Sequence, residues 1–298
     1  MLMASVYSFL GAGLTAAVLL FALVLGAVFG SFITCVAGRL VSGENPWKGR
    51  SHCDSCGSVL APRDLIPVIS WLVGRGRCRF CKSRIPLRCL NAELGLGLVF
   101  ALLFLHFGLG VHTLAYCALA CVLLGLSLVD LDTMTIPNGF VLAGVVIWLL
   151  QVVGFAALEL GGQAGWICSL GQTPAALQVN LFPALGDSAA LALNGLVGGF
   201  AMGGGMLVLS LVFDALAKQQ SLGGGDVKLL FVTGLFLGLP LSLLNLILAC
   251  ILGLAFSFVR RCQGKQGEFP FGPAISLAIL ITLLVGNVAM SAYLSLLF

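Results

Sequence analysis

Apolar residues run along this chain in long unbroken blocks, and polar residues gather in a few short intervals between them. Blocks without apolar–polar alternation predict helices rather than the strands of a membrane barrel. Their usual length, about 20 residues, lets a helix cross roughly 30 Å of hydrocarbon. Runs of this kind fill about 8–37, 93–111, 114–131, 138–159, 188–213, 226–239, 241–258 and 274–297. The pattern therefore predicts an all-α polytopic membrane protein with about eight transmembrane helices. The sixth and seventh, split at Gly238–Pro240, are the short ones. Pro137 suits the first turn of the fourth helix. Residues 160–187, with Gly, Gln, Pro and Asn, read as a poorly hydrophobic outer loop.

Composition supports this reading. The 298 residues are 60% hydrophobic and 9% charged, where a water-soluble domain carries roughly 25% charged residues. The 39 glycines suit membrane helices whose backbones approach closely.

Charge sets the expected topology. Ten of the fifteen Lys and Arg lie between Arg39 and Arg88; the others are Lys218, Lys228, Arg260, Arg261 and Lys265. The first 38 residues have none, so no positively charged signal-peptide region precedes the first helix. That helix should run from outside to inside. Residues 38–91 then form a basic cytoplasmic loop. Alternation places 132–137, 214–225 and 259–273 inside, 160–187 and both termini outside, and every Lys and Arg on the cytoplasmic side. Ten cations beside a bilayer follow from the positive-inside rule and anionic lipid, so the lipid bilayer, and no nucleic acid, is the expected partner.

Within the loop, Cys53-Asp-Ser-Cys56 and Cys78-Arg-Phe-Cys81 form two CxxC pairs. Each such turn offers two thiolates to one edge of a tetrahedron, and two turns close a four-sulfur zinc site. A reducing compartment disfavours disulfides. Four sulfurs leave no open position, so Cys53, Cys56, Cys78 and Cys81 predict structural Zn2+. Redox pairing or chance clustering are the alternatives. Cys35, Cys89, Cys117, Cys121, Cys168, Cys250 and Cys262 lack partner spacing and read as packing residues.

Carboxylates within spans are costly and usually functional. Asp130 ends the third span, and Asp226 opens the sixth after Gly223-Gly224-Gly225. The expected topology brings both to the inner boundary. Two adjacent carboxylates share one proton, so one can activate water while the other polarises a peptide carbonyl. Glycines before Asp226 let an extended substrate approach. Plainer readings stand beside this one. Asp226 could cap its helix, and Asp130 could mark the interface. Asp132, about 200° around the helix, rivals Asp130, and Asp214 reads as interfacial.

Taken together, these elements resemble the type IV prepilin peptidase family. The resemblance runs from Gly30-Ser31-Phe32 and Arg39, through the CxxC pairs with Ile66-Pro67-Val68-Ile69-Ser70-Trp71 and Arg75-Gly76-Arg77-Cys78-Arg79 between them, to Glu93. It continues through Asp130 to Pro137, Gly223-Gly224-Gly225-Asp226-Val227-Lys228 and Pro270-Phe271-Gly272-Pro273. It implies that the aspartate seven positions before the proline, Asp130, is catalytic with Asp226. It implies cleavage of the basic leader of prepilins or secretion pseudopilins, then N-methylation of the new N-terminus with S-adenosylmethionine as donor. It assigns methyl transfer to residues 1–112, with loop 38–91, and proteolysis to 113–298. Thr34 stands where the family usually has Asn, and Tyr-Pro is lacking before Glu93. A presenilin-like protease with other substrates, or a non-catalytic zinc-stabilised scaffold of a secretion or pilus system, are the alternative functions.

Overall fold

The computed structural model describes residues 7–161, 173–217, 223–262 and 270–297. Long helices dominate: α1 (Tyr7–Val41), α3 (Leu87–Phe107), α4 (Val111–Thr133), α5 (Asn138–Leu160), α7 (Asp187–Ala217), α8 (Gly224–Cys262) and α9 (Gly272–Leu297). Two short helices, α2 (Ile69–Val73) and α6 (Ala175–Gln178), lie between them. Among the described residues strand pairing is limited to two isolated bridges, His52 with Val59 and Arg77 with Arg84. Among the described residues seven helices are long and apolar enough to cross a membrane. The chain is therefore a multi-pass α-helical membrane protein.

Seven helices and about eight spans agree once α8 is followed in space. Gly238 breaks it with φ 69° and ψ 174°, a backbone conformation that a side-chain-bearing residue adopts only at a cost. The first half runs antiparallel to α7, so that Gly203 faces Phe231 and Gly198 lies backbone to backbone against Gly234. In the second half, Leu241 packs near Gly286 in the middle of α9 and Gly253 near Phe271 just before its start. The chain thus goes up and comes back, a helical hairpin turned at Gly238. Residues 224–237 make a helix of about 21 Å, shorter than the roughly 30 Å of hydrocarbon.

Something must cover a backbone break at that depth, because lipid cannot satisfy its polar groups. The 173–186 segment does so. Ala175 and Ala176 are 1% exposed, and Ala176 sits against Gly238. The Ala175 N–H donates to the Tyr116 hydroxyl at 2.8 Å, and Asn194 accepts from the Leu181 N–H and donates to the Asn180 carboxamide. The Ser242 hydroxyl donates to the Gly238 carbonyl. The described part of the poorly hydrophobic segment expected over 160–187 packs into the protein over the turn of the hairpin. Cys168 falls outside the described residues.

The buried core joins α3, α4, α8 and α9 through Leu103, Phe107, Tyr116, Leu123, Phe236 and Ile279. On the other side α1 lies hard against α3. A Cβ at Gly26 would stand 2.6 Å from the Leu96 carbonyl oxygen, and one at Gly30 2.8 Å from that of Ala92. Small residues permit this approach, and dispersion between the backbones replaces the hydrophobic effect that lipid does not supply. Outward-facing Phe21, Leu150, Phe200 and Leu254 remain exposed, as a lipid-facing belt requires.

Candidate active site and metal centre

Asp130 stands on the last turn of α4. It is 4% exposed, an expensive position for a carboxylate unless it is bonded. The helix stops just beyond it, where Met134 takes φ 53° and donates its N–H to the Asp130 carbonyl at 2.8 Å. The side chain has a different partner: its Oδ2 accepts the Gly272 N–H at 3.0 Å. Gly272 opens α9, whose first N–H groups have no partner inside the helix, so a carboxylate there is favoured by both hydrogen bond and dipole. Only glycine fits, since a Cβ at 272 would lie 2.6 Å from that oxygen.

Asp226 arrives from the other side, half-buried in the first turn of α8. Two contacts hold this turn to the segment that follows Asp130. Gly225 abuts Ile136 so closely that a Cβ would stand 2.9 Å from the Ile136 Cβ. The Lys228 ammonium donates to the Asn138 side chain at 2.8 Å. Asp226 consequently lies within electrostatic reach of Asp130. Among the described residues no Lys or Arg pairs with either carboxylate.

Asp132, the rival, is directed elsewhere. It is exposed and ion-paired with Arg88 of α3 at 2.8 Å. Packing therefore separates two aspartates that helical geometry alone only declares to be on different faces. Asp214 is half-buried on α7 and has an interaction of its own.

The four loop cysteines meet as the spacing predicts. Their sulfurs all lie within 4.8 Å of one another, and Cys53 and Cys81 Sγ are 3.9 Å apart. A tetrahedron with metal–sulfur bonds of about 2.3 Å has edges of about 3.8 Å, so these ligands fit a four-sulfur metal site. The two turns are built alike. The Cys53 N–H donates to the Ser58 carbonyl and Gly57 N–H to Cys53; Cys78 donates to Ser83 and Lys82 to Cys78. Gly57 (φ 67°) and Lys82 (φ 60°) take the same left-handed position. Backbone N–H groups of Ser55 and Cys56 pull the Cys53 thiol down to about 6, and the Ser83 hydroxyl and N–H lower that of Cys81. Both favour the thiolate that a metal needs. No disulfide joins the described cysteines, of which Cys117 is buried as packing and Cys250 and Cys262 are exposed.

Glu93 ties this loop to the helices. Its Oε2 accepts the Val68 N–H at 2.7 Å. Val68 has φ 63°, and the Ile69 N–H bonds back to Pro67 at 2.6 Å, a γ-turn that is strained for a β-branched residue. The buried carboxylate holds it in place.

Two family models match this chain. One, described as the bacterial peptidase A24 N-terminal domain, covers residues 24–107, and another, described as the type IV leader peptidase family, covers 117–258. A "Type 4 prepilin-like proteins leader peptide-processing enzyme" of Escherichia coli is 30% identical over 78% of this chain and 75% of its own length. The chain belongs to the type IV leader peptidase family. Other members bear the name "Prepilin leader peptidase/N-methyltransferase". That of Aeromonas hydrophila is 31% identical over 80% of this chain and 72% of its own. That of Pseudomonas putida is 28% identical over 89% and 90%. No solved structure matches. The two family models part between 107 and 117, across the turn joining α3 to α4 and the first residues of α4. As an enzyme of this family the chain is a membrane peptidase.

One site partner was not legible beforehand. Gly272 belongs to a motif that stands out in the sequence, but its backbone donor reaches a carboxylate 142 positions away, and no side-chain identity marks a backbone bond.

Proposed function

We propose that Asp130 and Asp226 form the catalytic dyad of a peptidase that removes the leader from type IV prepilins or type II secretion pseudopilins. The supporting observation is the convergence of α4, the first turn of α8 and the N-terminus of α9 on two carboxylates with no neutralising cation among the described residues. Two such groups hold one proton between them. The ionised member draws a proton from water, whose oxygen attacks the scissile carbonyl carbon while the protonated member hydrogen-bonds the carbonyl oxygen. Collapse of the tetrahedral intermediate breaks the C–N bond, and the leaving nitrogen takes a proton from the dyad. Gly223 and Gly224, both exposed, leave room for an extended backbone beside Asp226.

The same topology supports a bacterial inner-membrane enzyme working at the cytoplasmic face. The zinc loop, Lys228 and the Arg260–Arg261 end of the hairpin then share the basic side.

The relatives' name supports a second activity, N-methylation of the new N-terminus from S-adenosylmethionine. We assign it to residues 1–112, and proteolysis to 113–298. In the loop, Zn2+ held by Cys53, Cys56, Cys78 and Cys81 would supply folding energy and no open coordination position.

Incubation of the purified chain with one prepilin-like substrate, with and without S-adenosylmethionine, followed by mass spectrometry, scores leader loss and methyl gain separately. Cleavage that persists in both Asp130→Asn and Asp226→Asn would overturn the dyad and favour a scaffold role.

A further inference from the structure

Between Arg39 and Arg88 ten basic residues face three carboxylates, Glu44, Asp54 and Asp64. Part of that excess is gathered in one place. After α2 the chain turns back through Arg75 (φ 49°) and Gly76 (φ 64°), closed by the Arg77 N–H on the Gly74 carbonyl at 3.0 Å. This turn sets Arg77 directly across an antiparallel bridge from Arg84, and like charges so placed repel. Among the described residues the ion pairs are Arg79–Asp64 and Arg88–Asp132; none reaches Arg75, Arg77 or Arg84. With Trp71, Ile85 and Leu87, these three arginines line a cavity of about 430 Å³. The Trp71 Nε1 is shielded from solvent and has no hydrogen-bond partner.

The cavity opens where the chain enters the apolar belt, because Leu87 is the first residue of α3. Leu94 and Leu98 follow it at seven and eleven positions, which puts all three on one helical face. All three are exposed, whereas the face that carries Ala92 and Gly97 is pressed against α1. An arginine-lined cavity thus continues into a greasy stripe.

We propose that this is an anionic-lipid site, in which a headgroup phosphate lies among Arg75, Arg77 and Arg84 and an acyl chain follows Leu87, Leu94 and Leu98. Guanidinium forks match phosphate oxygens, and an indole N–H is suited to headgroup depth. Basic pockets beside transmembrane helices take headgroups of this charge. A soluble phosphate would offer the same anion and leave the apolar stripe without a ligand. The inference is independent of the catalytic dyad.

Native mass spectrometry of the full chain in detergent, titrated with phosphatidylglycerol or with phosphatidylcholine of the same chains, tests it. Phosphatidylglycerol is expected to be retained and phosphatidylcholine not. Arg77→Gln/Arg84→Gln should weaken retention about thirty-fold, from about 1 kcal/mol per basic residue at an anionic surface. Lys48→Gln/Arg50→Gln changes net charge equally outside the cavity and should stay within about threefold. Equal losses in the two pairs would mean general surface charge and overturn the site. Displacement of phosphatidylglycerol by millimolar inorganic phosphate would mean a free-anion site and overturn the lipid. Metal content reports whether the loop is intact. If Arg77→Gln/Arg84→Gln loses its metal, Arg75→Gln in the exposed turn replaces it, with about fivefold weakening expected, and unchanged binding there overturns the proposal.

Discussion

The Gly272 N–H and the Asp130 carboxylate meet at 3.0 Å across 142 positions of sequence. The contact links the end of one membrane helix to the start of another. It also orients a buried carboxylate through one of its two oxygens.

A methyl group at 272 would collide with Asp130 Oδ2, its Cβ lying 2.6 Å from that atom. Displacement of a reacting group by about 1 Å costs roughly 100-fold in rate. Gly272→Ala should therefore reduce single-turnover leader cleavage by about two orders of magnitude while the protein still accumulates in membranes with its metal bound. A rate within threefold of wild type would show that this contact does not position the carboxylate.

Asp130→Asn and Asp226→Asn should each abolish detectable cleavage, because neither water activation nor carbonyl polarisation survives with one carboxyl. Asp132→Asn loses only an exposed pair with Arg88, and such pairs contribute little. Its cleavage rate should stay within about threefold. The three variants, compared on one substrate, separate the buried aspartate from the exposed one.

Cleavage should fall as pH rises through the alkaline range. A dyad works with one proton, and raising pH removes it, leaving two carboxylates with no acid to polarise the carbonyl. A profile measured on a substrate without titratable groups, at fixed detergent, reads this directly. A flat alkaline limb would remove the shared proton from the mechanism.

Chelation should unfold the loop while leaving the bundle. The four sulfurs cluster in a loop with few buried apolar side chains, Cys78 among them, so a metal held there would supply most of its stability. Trp71 packs against Gly76, two residues before Cys78, and its fluorescence should change on metal loss together with protease resistance of 42–86. Methyl transfer should decline before cleavage does. The reverse order would place the loop in the peptidase.

Much of this protein is determined locally, and that part could be read from the chain. Continuous apolar blocks give the spans because a helix satisfies its own backbone in lipid, and the two CxxC turns give the four-sulfur cluster because each makes its own hydrogen bonds. Gly238 and Pro240 marked the hairpin, since the break there is a property of one residue's φ. What only the tertiary structure decided are pairings at long range. Helical periodicity said that Asp130 and Asp132 face different ways; packing against α9 buried the first, and Arg88 of α3 drew the second to the surface. The polar stretch after α5 carried no sign that it would fold back on Gly238, because the Tyr116 hydroxyl that holds Ala175 lies 59 positions earlier. Buried backbone donors must find acceptors somewhere, and where they do so depends on the whole chain having folded.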